Sequence, residues 1–151
     1  MKSILSVLAL AGIVCAASTV LYAEAGHDHE RVGGPKGGRL LENTEPRAEF
    51  YVEKDNTVTI SFYDNDLKPV AATEQGVTII AETDGNKTTL EFEKKGDVLV
   101  SKGPLPAGHA LNLVVQFKQT ADAKTSNFRF VLEDHICGVC KRAEYACICE
   151  H

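Results

Sequence analysis

The residues best suited to chemistry lie at the C-terminal end of the 151-residue chain, in the stretch CGVCKRAEYACICEH at positions 137 to 151. Four of the five cysteines fall there, spaced as C-x-x-C, six residues and C-x-C. Such short spacings allow two thiolates of one turn to bind one ion, and the six-residue link can bring the two pairs together. A histidine lies two positions before the first cysteine and another two positions after the last. The pattern predicts a metal site with these candidate ligands: Cys137, Cys140, Cys147, Cys149, His135 and His151.

The softness of these ligands limits the metals that the site would hold. Thiolate and imidazole groups suit zinc or Cu(I), whereas calcium and magnesium prefer oxygen ligands. The only methionine is Met1, so the chain has no methionine-rich surface for copper. We expect zinc, Cu(I) or a similar soft ion such as cadmium.

Two other chemistries are open to the same cysteines. Two disulfides would be permitted in an exported protein, and four cysteines allow three pairings. Geometry favours a metal, because a C-x-C pair is poorly placed to bridge itself and a crosswise pairing would close only a small loop. A redox role is less favoured, because reactive C-x-x-C motifs usually begin a helix in a βαβ fold.

A second group of metal-binding side chains lies near the N-terminus. His27 and His29 alternate with Asp28 and Glu30 in GHDHE at positions 26 to 30. Cleavage before Gly26 would add a free amine, and a free amine with a nearby histidine binds Cu(II) or Ni(II) through nitrogen donors. The alternative is a solvated linker with no ligand.

The beginning of the chain has the pattern of an export signal. Lys2 precedes an apolar run over residues 4 to 21, and the Ala-Glu-Ala sequence at 23 to 25 suits cleavage before Gly26. The alternative is an uncleaved membrane anchor. We predict a signal peptide over 1–25, a periplasmic or secreted location, and no membrane insertion after cleavage. Cys15 would leave with the signal.

The elements that position these ligands are predicted to be β-strands. Period-two alternation recurs between turn-forming stretches such as Asp84-Gly85, without a long helical period. We predict an antiparallel, Ig-like β-sandwich of about seven or eight strands, with an open barrel as the alternative. The domains would be a flexible His-containing arm at 26–38, the sandwich at 39–133 and a Cys-rich tail at 134–151. The predicted core comprises Val58, Ile60, Phe62, Val77, Ile79, Ala81, Leu90, Phe92, Leu111, Leu113, Val115, Phe117, Phe128, Phe130 and Leu132.

Composition and motifs argue against several functions. With 44% hydrophobic and 25% charged residues the chain suits a folded domain, and its net charge of -5 does not favour nucleic acid. No glycine-rich phosphate loop or serine nucleophile motif is present in the sequence. We expect no catalytic activity. His109 lies in a turn-forming stretch without nearby ligands, so we expect a solvated side chain.

The two ends of the chain resemble a known group of proteins. The exported His-Asp arm, the sequence GPKGGRLLE at 34 to 42 and the ending EYACICEH are similar to small exported bacterial proteins associated with heavy-metal efflux systems. GPKGGRLL also resembles a segment near the start of the periplasmic adaptor subunits of metal-exporting pumps. The chain lacks the long helical hairpin and lipoyl-like parts of those adaptors. The resemblance implies metal handling in the periplasm without catalysis.

The sequence thus leaves two functional hypotheses. The first is a periplasmic soft-metal-binding protein that supports heavy-metal handling, with a periplasmic component of an efflux system as the candidate partner. The second is an envelope protein-interaction module, which binds its partner through an edge strand or loop. In the second hypothesis the cysteines form only a structural zinc or disulfide clip.

Overall fold

The structure is a computed structural model that describes residues 32–149. The predicted signal peptide at 1–25, His27, His29 and His151 lie outside the described residues. Within the described range, no helix has the length and apolar character needed to cross a membrane.

The described chain is built from antiparallel β-strands and one short 3-10 helix. The strands are β1 (Arg39–Leu41), β2 (Arg47–Val52), β3 (Val58–Tyr63), β4 (Pro69–Val70), β5 (Gly76–Thr83), β6 (Asn86–Lys95), β7 (Val98–Ser101), β8 (Leu111–Lys118) and β9 (Ser126–Leu132). The 3-10 helix, η1, spans Glu144–Ala146. The prediction of an all-β antiparallel protein is confirmed.

The strands form one continuous sheet that is nearly closed into a barrel. Their order is β1-β2-β3-β7-β6-β5-β8-β9, and β4 pairs with β3 beside this path. The sheet curls so that Phe50 of β2 meets Phe130 of β9, with ring centroids 5.2 Å apart at 83°. No strand pairing within residues 32–149 joins β1 to β9. The finer prediction, an Ig-like sandwich of two sheets, is not confirmed.

The core follows from the alternation of the strand sequences. In β8 every second residue is buried, from Leu111 to Phe117. The facing residues of β5 are Val77, Ile79 and Ala81, which are buried as well. Of the predicted core, only Phe92, Phe128 and Phe130 are partly buried, and they pack against the rest.

The turn at Asp84-Gly85 joins β5 to β6 as predicted. Both residues have positive φ, 48° and 78°, which is the backbone of a two-residue type I′ hairpin. The backbone twist of this turn matches the right-handed twist of β5 and β6, which it connects.

Four strands, β1, β2, β4 and β7, were not singled out by the sequence. In β2, Ala48 and Phe50 are fully buried, and so is the charged Glu49 between them. A strand with both faces covered lacks the clean alternation that marks a half-buried one. The edge strand β1 has only three residues, which is too short for a periodic pattern.

Candidate metal centre

The four C-terminal cysteines belong to a segment that folds back after β9. We call residues 133–149 the Cys segment. It opens with a tight turn in which the Cys137 N–H donates to the Arg142 carbonyl at 2.8 Å and the Lys141 N–H donates to the Cys137 carbonyl at 3.1 Å. A β-bridge between Ile136 and Ala143 closes the turn. The C-x-x-C pair is thereby held within one turn.

The two cysteine pairs meet at one point. The sulfur of each cysteine lies within 4.8 Å of the other three. The Sγ atoms of Cys147 and Cys137 are 3.4 Å apart, those of Cys140 and Cys147 are 3.6 Å apart, and those of Cys137 and Cys149 are 4.0 Å apart. We call these four sulfur atoms the Cys centre.

These separations match a tetrahedral ion site. Zinc–sulfur bonds of about 2.3 Å in a regular tetrahedron place the sulfurs about 3.8 Å apart, within the range seen here. No disulfide joins the four cysteines. The Cys centre could therefore hold one soft metal ion, with all four ligands supplied by sulfur.

A buried tyrosine attaches the Cys segment to the barrel. Tyr145, in η1, is 6% exposed, and its ring meets the edge of Phe50 at 5.6 Å. Its hydroxyl oxygen accepts a hydrogen bond from the Val52 N–H at 3.2 Å. Its own N–H donates to the carbonyl of Glu133 at 3.0 Å, and the neighbouring Glu144 N–H donates to that of His135 at 2.8 Å. The link between the two cysteine pairs is thus part of the hydrophobic core.

A second attachment comes from the glycine-rich sequence that carried the resemblance. We call residues 33–38 the glycine turn. The Arg142 side chain, between the two cysteine pairs, donates to the Gly34 carbonyl at 3.1 Å. A Cβ atom at Gly33 would overlap the Arg142 guanidinium. A larger residue at this position would push the guanidinium away from the Gly34 carbonyl.

The glycine turn is itself held by the buried Glu49. One carboxylate oxygen of Glu49 accepts the Gly38 N–H at 2.7 Å and the Lys36 N–H at 3.0 Å. A Cβ at Gly34 would overlap the Glu49 carboxylate, and one at Gly38 would overlap the Phe50 carbonyl oxygen. A buried carboxylate is tolerated when hydrogen-bond donors surround it. The part of GPKGGRLLE that forms the turn, residues 34–38, therefore helps to support the Cys centre.

The thiols of the Cys centre have unequal acidity. The backbone N–H groups of Ile148 and Arg142 donate to the Cys140 sulfur and lower its pKa to about 6. At Cys147 the Cys149 N–H lowers the pKa, but desolvation and hydrogen bonds to the other sulfurs outweigh it and raise the pKa to about 12. Desolvation also raises the pKa of Cys149. A metal ion must displace the protons of the less acidic thiols, so binding is coupled to proton release.

The Cys centre is covered on one side and open on the other. Cys137 and Cys147 are buried, whereas Cys140 and Cys149 are partly exposed. Three large apolar side chains of the same segment face solvent: Ile136, Val139 and Ile148. The ion would lie near the surface, in a segment that exposes these apolar side chains.

The histidines do not join this sulfur group within the described range. His135 is exposed, and its ring nitrogens lie 4.0 Å from the Glu133 carboxylate and 3.8 Å from that of Glu144. His109 is exposed in the loop before β8. The other candidates, His27, His29 and His151, lie outside the described residues.

Sequence reasoning missed the residues that support the site. Tyr145 was visible as the aromatic residue between the cysteine pairs. The paired glycines around Lys36 were a signal of close backbone approach. Neither the aromatic residue nor the paired glycines indicate which part of the chain they contact. No protein-family model, curated protein or solved structure matches the chain.

Proposed function

We propose that the chain is a non-catalytic soft-metal-binding protein whose ion is held by the Cys centre. The observation that supports this most directly is the convergence of four sulfurs within 4.8 Å of one another. Residues separated by up to twelve positions meet there, and Tyr145, which lies between the two cysteine pairs, belongs to the hydrophobic core. Four sulfur donors in this arrangement suit zinc or Cu(I).

We place this function in the periplasm, in the handling or efflux of heavy metals. Support comes from the export pattern of residues 1–25 and from the partial exposure of Cys140 and Cys149, which would allow an incoming ligand to reach the ion. The partner would be a periplasmic component of an efflux system. His27 and His29 would act as an auxiliary capture site, three to five residues before Val32, where the described chain begins.

A second function is favoured by a different observation. Tyr145 and Ala146 belong to the hydrophobic core cluster, so an ion at the Cys centre would also fasten the Cys segment to the sheet. In that case the metal is a structural clip, and the protein binds an envelope partner through its short edge strand β1. The two functions differ in how readily the ion leaves.

The first experiment measures zinc and copper content and free thiols in protein purified without added metal. We expect one ion per chain and no disulfide. Replacing Cys147 and Cys149 by serine should abolish binding, because two of the four sulfurs are lost. The control is His135→Ala, which should leave the stoichiometry unchanged. Two disulfides and no metal, or unchanged stoichiometry in the double serine variant, would contradict the proposal.

The second experiment separates exchange from a structural clip. A competing chelator is added while the fold is followed by circular dichroism and the ion by a chromophoric indicator. An exchangeable site gives up its ion within minutes with the β-sheet signal intact. Loss of the ion only together with unfolding would favour the structural clip.

A further inference from the structure

A cleft of about 390 Å³ is lined in part by Cys147, one of the four residues of the Cys centre. One wall is formed by β1 and the turn that follows it, and the other by Ala146, Cys147 and Ile148. Cavities of a few hundred cubic ångströms are the size of small-molecule sites. Because Cys147 lines the cleft and belongs to the Cys centre, a bound molecule would contact a residue that holds the ion.

The charge of the lining favours an anionic molecule. Arg39 and Arg47 line the cleft, and Glu42 is the only acidic residue in the described lining. Arg47 is half-buried, yet no described carboxylate lies within ion-pair distance of it. A partly desolvated arginine is stabilised by an anion, and its planar guanidinium binds carboxylates through two parallel hydrogen bonds.

Arg39 connects the cleft to the attachment of the Cys segment. Its guanidinium lies 4.7 Å from the centroid of the Phe130 ring, and it donates to the Tyr145 carbonyl at 3.3 Å. These contacts hold the arginine at the end of the cleft nearest η1. Two asparagines, Asn43 and Asn65, add neutral hydrogen-bond donors to the lining.

We propose that the cleft binds a small thiol that carries carboxylate groups, and that this thiol delivers the soft metal ion to the Cys centre or removes it. The inference rests on the proposed metal-binding function. Soft ions bind thiolates, so a small thiol can present the ion to the protein. With a carboxylate bound by Arg47, its sulfur would remain within the cleft that Cys147 also lines.

The exchange step balances without an external reactant. The bond between the ion and the carrier sulfur breaks as the bond between the ion and the Cys147 sulfur forms. The proton of the Cys147 thiol passes to the departing carrier thiolate. No electrons are transferred, and the charge of the ion is unchanged. Repetition with further carrier thiolates completes the set of protein ligands.

The first test uses succinate, which has the carboxylates but no thiol. The whole chain, free of metal, is titrated with succinate and followed by nuclear magnetic resonance. We expect saturable shifts at Arg47 and Asn65, and at least tenfold weaker binding in Arg47→Gln. The matched control is Arg129→Gln, which removes the same charge from an exposed position on β9 outside the cleft. Absence of saturable shifts, or equal weakening in the control, would overturn the inference.

The second test uses zinc loaded on mercaptosuccinate or on 2-mercaptoethanol, which has no carboxylate. We expect transfer from zinc mercaptosuccinate to be at least tenfold faster at equal free zinc, and Arg47→Gln to remove the difference. Equal rates in the unmodified chain, with zinc still bound one to one, would overturn the carrier role and leave the proposed function intact. Succinate binding in a chain that binds no zinc would overturn both.

Discussion

Tyr145 attaches the Cys segment to the core, so its replacement tests whether this docking assembles the Cys centre. Tyr145→Ala removes a ring that is 6% exposed and in edge contact with Phe50. Truncation of a large buried aromatic costs about 3 to 5 kcal/mol. The Val52 N–H would also lose its hydroxyl acceptor.

This loss should appear in zinc affinity. If the docked segment is the form that binds zinc, 3 kcal/mol of lost docking energy weakens binding by up to about a hundredfold, at 1.4 kcal/mol for each tenfold. Tyr145→Phe keeps the ring and loses only the hydroxyl, for which we expect about 1 kcal/mol, or about fivefold. Zinc affinity should therefore be highest in the unmodified chain, lower in Tyr145→Phe and lowest in Tyr145→Ala.

The assay is competition for zinc against a chromophoric chelator, with urea unfolding of the metal-free protein measured in parallel. Tyr51→Phe is the control for the hydroxyl deletion, because Tyr51 is a half-buried tyrosine of β2 outside the Cys segment. We expect no change in zinc affinity there. If Tyr145→Ala binds zinc within twofold of the unmodified chain, the docking of Tyr145 does not position the sulfurs and the reasoning is refuted.

Three further predictions concern the support and acidity of the site. Gly38→Ala should lower the free energy of unfolding by about 1 to 3 kcal/mol, because the added Cβ overlaps a backbone carbonyl of β2. The control is Gly103→Ala, which has open space around it and should change the free energy of unfolding little in the same urea titration. Burial and then a hydrogen bond to the buried glutamate raise the pKa of Tyr63 to about 12. Its contribution to stability is therefore complete below about pH 10 and is lost as the pH rises through 12. Unfolding curves of Tyr63→Phe should lose less stability over that range, and an identical pH dependence would contradict this. In metal-free protein at pH 7, iodoacetamide should alkylate Cys140 faster than Cys147, because the pKa of Cys140 is lowered and that of Cys147 is raised. Equal rates by peptide mass spectrometry would contradict this prediction.

The sequence predicted those parts of the fold that depend on local periodicity. In β8, alternation from Leu111 to Phe117 identified the buried face, because side chains of a strand point alternately to its two sides. The Asp84-Gly85 turn was equally local. Alternation does not say which strands become neighbours or how far the sheet curls. The near closure of the barrel depends on long-range contacts such as Phe50 with Phe130, and the sequence predicted an open barrel only as the alternative to a sandwich.

In the candidate site, too, the sequence predicted the local features and did not predict the long-range contacts. Cysteine spacing predicted that Cys137, Cys140, Cys147 and Cys149 converge, because close spacing limits the separation of their sulfurs. The attachments of Tyr145 and the role of Glu49 were not predicted. Glu49 is buried because backbone N–H groups of the glycine turn surround its carboxylate, and backbone donors leave no distinct mark in a sequence.

The central claim, that four cysteine sulfurs bind one soft metal ion, is tested most directly by X-ray absorption spectroscopy of the zinc-loaded protein. We predict a first shell of four sulfur atoms at about 2.3 Å, with no nitrogen or oxygen. A shell of nitrogen or oxygen atoms, or fewer than four sulfurs, would contradict the account.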